Sequence, residues 1–414
     1  MGDAKRLSEK VIQLIEKGVT IPNPFSVDIG DEVEIDRIST SGTTLYGGTK
    51  IYGKKTLICG GTKLGYEAPV TVANCQLGRS VELKGGFFTE SVFLEKATMA
   101  SGAQVREGCI LEEEANGSHT VGLKQTILFP FVTLGSLINF CDCFMAGGTS
   151  RKNHSEVGSS YIHFNYAPNQ DKATASLIGD VPRGVMLNQP PIFLGGQGGL
   201  VGPARIGYGT VIAAGTVYRG DCPEGGRLLG QTNDSVDKDF YPGFYGDVKK
   251  RVYNNVCYLA NLRALRQWYI HVRHPFFELQ ECGPELYEGA MEKLDMAIRE
   301  RIKRFKALAE KMESSIRLTE AIVRGDRQRE LVTLKKALLE NWPKIEASFS
   351  AGFEEQVAVS RRDSLLEALL EKEGDYVASI QSLDEASKSA GTAWLQAIVD
   401  EIGNSVLAII PEYR

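Results

Sequence analysis

Five of the 414 residues are histidines. Histidine has an unperturbed pKa of about 6.5 and so suits proton transfer at neutral pH. His154 lies in Asn-His-Ser-Glu-Val-Gly (153–158), directly after Arg151 and Lys152. These neighbours fit either a surface loop histidine or a base within reach of a substrate. His163 alternates with Ile162 and Phe164, the pattern of an outward-facing strand residue. His119 falls at a repeat corner with no partner nearby in sequence. His271 and His274 close an aromatic-rich stretch where packing or capping is the expected role. Asn165-Tyr166 precedes Pro168 as a turn would, and Lys172 on its own reads as a solvated lysine. The eight cysteines form no Cys-x-x-Cys pair. No cluster of His, Cys, Asp and Glu has metal-ligand spacing, so no metal is expected. Gly48–Lys55 loosely matches a phosphate loop. It lacks the Ser/Thr after the lysine and the strand–loop–helix setting, so that reading is rejected.

The elements that carry these side chains are legible in a repeat. Residues 93–128 divide into FLEKAT, MASGAQ, VREGCI, LEEEAN, GSHTVG and LKQTIL. The first position holds Phe93, Met99, Val105, Leu111, Gly117 and Leu123. The fifth holds Ala97, Ala103, Cys109, Ala115, Val121 and Ile127. Neither a helical period of 3.6 nor a strand period of 2 produces an apolar-plus-small pattern every six residues. Such self-similarity predicts stacked repeats, here a left-handed parallel β-helix whose turns each hold three short strands. Further copies occur at Ile206 and Ile212, with weaker ones at Ile29, Leu45, Ile51, Leu57 and Leu77. Breaks in register at 60–76, 129–150 and 181–191 predict loops leaving the coil.

Most of the 44 glycines precede residue 247, and beyond it the chain is rich in Glu, Lys, Arg, Ala and Leu. The expected organisation is an N-terminal capping helix in 1–22, a β-helix with inserted loops over 23–246 and an α-helical domain over 247–414. Residues 251–274 read as a helix with aromatics on more than one face, and 285–325 show heptad-like apolar spacing. Further helices are expected at 327–342, 361–373 and 378–402. A net charge of −5 gives no global argument for nucleic acid. No apolar run reaches membrane-spanning length and no signal core stands at the N-terminus, so a cytoplasmic chain with reduced thiols is expected.

Five segments resemble a known family: residues 17–35 (KGVTIPNPFSVDIGDEVEI), 129–136 (FPFVTLGS), 153–158 (NHSEVG), 161–180 (YIHFNYAPNQDKATASLIGD) and 192–217 (IFLGGQGGLVGPARIGYGTVIAAGTV). They are similar to the C-terminal acetyltransferase domain of the bifunctional UDP-N-acetylglucosamine pyrophosphorylase / glucosamine-1-phosphate N-acetyltransferase family. The likeness covers about half the chain and includes neither the helical half nor the family's nucleotidyltransferase domain. It implies a homotrimer that uses acetyl-CoA as co-substrate and acts on an amino sugar or sugar phosphate. By resemblance, His154 is the general base, Asn165, Tyr166 and Lys172 line the substrate site, and Gly196, Ala213 and Ala214 lie where the acyl-CoA chain approaches. An amino sugar is largely ammonium at neutral pH, so a base must take a proton as the amine attacks a thioester.

The chain departs from the family pattern in several places. A phosphate-contacting lysine falls at Cys141, a tyrosine at Val157 and an acyl-site serine at Gly196, and the stretch from His154 to Asn165 is shorter. Two functions are therefore expected in competition. One is an acyl-CoA-dependent acyltransferase. The other is a non-catalytic sugar-nucleotide-binding or assembly protein that keeps the β-helix as a scaffold.

Overall fold

A computed structural model describes residues 7–230, 239–350, 352, 354–372 and 374–414. The first six residues of the expected capping helix, residues 231–238 of the expected coil and position 373 of the helix expected at 361–373 lie outside the described residues. The hexad takes physical form in the backbone. A left-handed residue recurs at Glu90, Lys96, Gly102, Gly108, Glu114 and Thr120. Each corner is followed by a small or short buried residue, as at Ala97, Ala103, Cys109 and Ala115. The first-position residues point into the coil: Phe93, Met99, Val105 and Leu111 are fully buried. Three hexads complete a turn, so Thr98 pairs with Asn116 and Ser91 with Cys109 in parallel register. The result is a left-handed parallel β-helix of about 11 turns followed by helices.

The sixth hexad is one residue short. The left-handed corners after Thr120 fall at Gln125, Phe131, Leu137 and Asp142. Leu128 therefore takes the interior slot in register with Leu111, and Ile127 aligns with the outward residues Ile110 and Phe144. The earlier copies look weak in sequence because Thr43, Thr49, Thr56 and Thr62 occupy small interior slots. The hydroxyls of Thr49, Thr56 and Thr62 are satisfied by the backbone, as when Thr49 Oγ1 donates to Tyr46 O at 2.7 Å.

The coil has three faces. A docked face includes Leu57–Ile58, Gln76–Leu77, Ser91–Phe93, Cys109–Leu111 and Ser176–Ile178. An open face runs through Lys63–Leu64, Glu82–Leu83, Thr98–Met99 and Asn116–Gly117 to Leu228–Leu229. A third face includes Lys50–Tyr52, Val70–Ala73, Ala103–Val105 and Gly199–Val201. Helix α1 (Glu9–Lys17) closes the first turns. Ser8 caps it, Val11 and Leu14 are buried, and Lys10 Nζ donates to Gly30 O at 3.0 Å. The break expected over 129–150 is mostly coil, since Thr133–Leu134 and Asn139–Met145 stay in register. The excursion begins later, as an antiparallel hairpin joining Gly148–Ser150 to Asn153–His154. Residues 60–76 also keep their strands, at Lys63–Leu64 and Val70–Ala73. The 181–191 insertion forms the short helix α2 (Val181–Gly184), capped by Asp180.

The helical half lies along the docked face. It comprises α3 (Lys249–Trp268), α4 (His274–Glu278), α5 (Gly283–Glu310), α6 (Met312–Ile322), α7 (Gly325–Glu340), α8 (Trp342–Ser348), α9 (Val359–Leu370), α10 (Tyr376–Gln381) and α11 (Glu385–Ile409). A π-helical turn at Tyr269–Arg273 joins α3 to α4. Helix α3 is apolar on several sides because it is sandwiched between the coil and α11. Beneath the helices, the outward side chains Leu57, Val92, Ile110, Ile127 and Phe144 are all buried.

Helix α5 runs along the corner between the docked and third faces. Lys293 Nζ meets Glu90 at 3.0 Å and Arg301 Nη2 meets Asp142 at 2.6 Å. Those two cations are about 12 Å apart along a helix rising 1.5 Å per residue. The three coil turns between their partners rise about 14 Å at the usual strand spacing. The two periodicities are near enough for long side chains to bridge the difference.

Candidate functional site

His154 sits at the foot of the 148–154 hairpin, at the edge between the docked and open faces. Its Nδ1 lies 2.9 Å from Arg151 O. A carbonyl only accepts, so Nδ1 carries the proton and Nε2 of the neutral ring keeps its lone pair. Glu156 Oε2 lies 3.7 Å from Nε2, placed to stabilise an imidazolium. The hairpin is held by Arg151, whose Nη1 donates to Glu114 O at 3.1 Å, Phe131 O at 2.8 Å and Thr133 Oγ1 at 2.9 Å. That side chain is thus committed to the backbone of two coil corners and to Thr133. Helix α10 adds a hydrogen bond from Gln381 Nε2 to Thr149 O at 2.6 Å.

Asn165, Tyr166 and Lys172 belong to the 165–175 excursion, at the edge between the third and docked faces. Asn165 Nδ2 donates to Asp142 Oδ2 at 2.8 Å, and its carbonyl accepts from Thr174 Oγ1 at 2.7 Å. The other oxygen of Asp142 takes Arg301, which also donates to Lys172 O at 2.9 Å. Asn165 and the Lys172 backbone are therefore part of a clamp between the coil and α5. The Tyr166 ring is exposed, and the Lys172 ammonium forms no ion pair among the described residues.

Gly196, Ala213 and Ala214 lie at the remaining edge, between the open and third faces. Here successive turns approach so closely that side chains are excluded. A Cβ on Gly158 would stand 2.4 Å from Gly196 N, and one on Gly195 would stand 2.3 Å from Ala214 N. The small residues form one column along the coil. The three groups singled out from sequence thus occupy three different edges of the prism, and a single chain does not bring them together.

His163 corrects the expectation of an outward strand residue. Its side chain turns into the coil and is almost fully buried, packed edge-on to Phe140. Nδ1 donates to Cys141 O at 2.6 Å and Nε2 accepts from Ser176 Oγ at 2.8 Å. Burial pushes its pKa down to about 4, so it is a neutral structural group. His119 finds a partner in Glu67, Nε2 to Oε2 at 3.2 Å, supplied by a bulge three turns away in sequence. His271 packs on Trp394 and His274 on Tyr287.

A second polar cluster escaped the sequence reading. Glu112 and Glu113 meet Arg273 of the π-helical turn, and Tyr269 OH donates to Glu112 Oε1 at 2.6 Å. The Arg273 guanidinium lies 3.9 Å from the Tyr376 ring centroid. Burial pushes the Glu112 carboxyl up to about 7, against the pull of Arg273. The signal was present as three consecutive glutamates, Glu112–Glu114, in one repeat, but the partner of the first two is about 160 residues away.

Among the described residues no group of His, Cys, Asp and Glu is arranged to hold a metal ion, and no helix is long and apolar enough to cross a membrane.

No family model matches the chain. It is 26% identical over 227 residues to the "Bifunctional protein GlmU" of Thermotoga maritima, covering 55% of this chain and 45% of that protein. The proteins of the same name from Fervidobacterium nodosum and Nitratidesulfovibrio vulgaris are 27% and 28% identical, covering 56% and 54% of this chain and 45% and 44% of theirs. The chain thus spans less than half the length of the curated relatives it matches. A crystal structure of UDP-N-acetylglucosamine acyltransferase is 16% identical and covers 49% of this chain and 66% of its own, with a TM-score of 0.16, too low to carry an argument. The chain resembles the β-helix domain of the bifunctional relatives over about half its length.

Proposed function

We propose that the chain is an acyl-CoA-dependent acyltransferase that transfers an acetyl group to an amino sugar or amino-sugar phosphate in the cytoplasm. The observation that carries this reading is His154, with Nδ1–H tied to a carbonyl and Nε2 left as the basic nitrogen. In the proposed step the substrate amine attacks the thioester carbonyl, an N–C bond forms and the C–S bond breaks. The amine proton passes to Nε2, and the resulting imidazolium is stabilised by Glu156 at 3.7 Å. CoA leaves as a thiolate that then takes the proton from the imidazolium. Lys172, with its ammonium unpaired among the described residues, would neutralise a sugar phosphate, and Tyr166 would face the substrate. Asn165 would act mainly by holding Asp142 and the substrate loop in place. The small column at Gly196, Ala213 and Ala214 would admit the pantetheine arm of acetyl-CoA along the coil.

This reading requires more than one copy. With the three groups on three edges, a complete site forms where the edges of neighbouring chains meet, in keeping with the homotrimer that the resemblance implies. Phe193, Val211 and Leu228 form an exposed apolar column on the open face, which a neighbouring copy would cover.

The test is CoA release from acetyl-CoA with glucosamine-1-phosphate and a panel of amino sugars. Loss of a general base costs about 10²–10⁴-fold, and His154→Ala is expected to fall in that range. Absence of turnover with every acceptor, or turnover indifferent to the substitution, would overturn the reading. One observation favours a second reading, a non-catalytic scaffold: Asn165 and the Lys172 backbone serve the clamp to α5.

A further inference from the structure

The docked face changes character at its last turns. The outward residues Leu57, Val92, Ile110, Ile127, Phe144 and Leu177 are buried against helices, but the next position in register is Arg205. There the coil and helices part to leave a cleft of about 240 Å³. One wall is the coil at Gly179, Arg205 and Gly207, and the others are α3 and α11.

Among the described residues Arg205 is held only by long contacts, an ion pair to Asp221 and a hydrogen bond from Nη1 to Cys257 Sγ at 4.0 Å. Its nearest carboxylate oxygen is Asp221 Oδ2, 3.9 Å from Nη2. Asp221 is engaged elsewhere, accepting from the Arg205 backbone N–H at 2.9 Å and from Asn254 Nδ2 at 3.1 Å. The Arg205 guanidinium lies over the Tyr253 ring, 4.7 Å from its centroid. Its Nε is buried and has no hydrogen-bond acceptor among the described residues. A buried donor left unpaired is destabilising, so a site of this kind favours an acceptor that reaches it. The neighbouring Arg183 is different, being paired with Asp180 through Nε at 2.7 Å. Across the cleft, α11 presents Gln396, Asp400 and Asn404, with Gln396 Nε2 donating to Asp400 Oδ1 at 2.8 Å.

A planar guanidinium fork placed over an aromatic ring is a receptor for a carboxylate or a phosphate. Asp180 and Asp400 in the walls oppose a dianion. Asp400 also supplies an acceptor for a donor group at the far end of a bound molecule. We propose that this cleft binds a small monocarboxylate bearing a hydroxyl or ammonium group, with the carboxylate on Arg205 and the donor on Asp400. None of His154, Asn165, Tyr166, Lys172, Gly196, Ala213 and Ala214 lines it, so the site is separate from the one proposed for acyl transfer.

Cys257 gives a local reporter, because its thiol lies in the cleft 4.0 Å from Arg205 Nη1. The full chain is treated with iodoacetamide, and alkylation of the Cys257 and Cys141 peptides is followed by mass spectrometry. Glycolate, serine, acetate and inorganic phosphate are added separately at millimolar concentration. Glycolate or serine is expected to slow alkylation of Cys257 and leave Cys141 unaffected. Arg205→Lys keeps the charge but loses the fork, and is expected to weaken protection about tenfold. Asp400→Asn lies on the exposed side of α11 and is expected to erase the preference for glycolate or serine over acetate. Protection by none of the four compounds, equal protection by acetate in the wild type, or protection by phosphate alone overturns the proposal.

Discussion

The docked and open faces of the coil are separate parallel ladders around one interior, and over most turns their outward positions differ. On the docked face these positions hold Leu57, Gln76, Val92, Ile110, Ile127 and Phe144, all buried and all but Gln76 apolar. On the open face the aligned positions are Thr44, Lys63, Glu82, Thr98, Asn116 and Thr133, none of them buried, before Phe193, Val211 and Leu228 break the pattern. Interior slots build the coil, and one outward residue per turn specifies what covers it. Each large aliphatic side chain removed from water contributes about 1.5–3 kcal/mol. A stripe of them is enough to seat a helical domain, while polar residues in the same slots leave a face bare.

The comparison can be broken most severely at its charged border. Arg301→Leu leaves Asp142 buried without its cation, and a loss of about 3–5 kcal/mol is expected in urea unfolding. Replacing both Asp142 and Arg301 by leucine should cost much less, since no charge is then stranded. Within the stripe, Ile110→Ala is expected to cost about 2–5 kcal/mol in the same assay. Glu112 makes the docked face sensitive to pH. Its carboxyl is pushed up to about 7 by burial, so the folded chain holds a proton that the unfolded chain releases. Its contribution is fully present below the ordinary carboxyl range and is lost as pH rises through about 7. Thermal unfolding between pH 5 and 8 should therefore show a decline that Glu112→Gln removes. The smallest effect is expected on the open face, where Asn116→Ala should change stability by less than about 0.5 kcal/mol. A larger change there would mean that the open face is covered as the docked face is.

The hexads of 93–122 were legible because a left-handed corner every six residues demands a small residue after it and an apolar one inside. The slip at Gln125 was not legible, since Leu123-Lys-Gln-Thr-Ile-Leu reads equally well with five residues or six until its neighbours fix the register. Alternation around His163 suggested an outward imidazole, because Ile162 and Phe164 are apolar. Register with Phe140 and Leu200 puts those two outside and the histidine within. At His154 the motif was visible, whereas the Arg151 carbonyl that sets its tautomer depends on the hairpin.

By itself the sequence determined the coil, its change into helices and the residues able to move a proton, because each follows from local spacing. Only the tertiary structure decided which face the helices cover, that Arg301 and Asp142 meet, and that His154, Lys172 and Gly196 stand on three separate edges. Those outcomes depend on accumulated register over many turns and on contacts between residues more than a hundred positions apart, which no local pattern encodes.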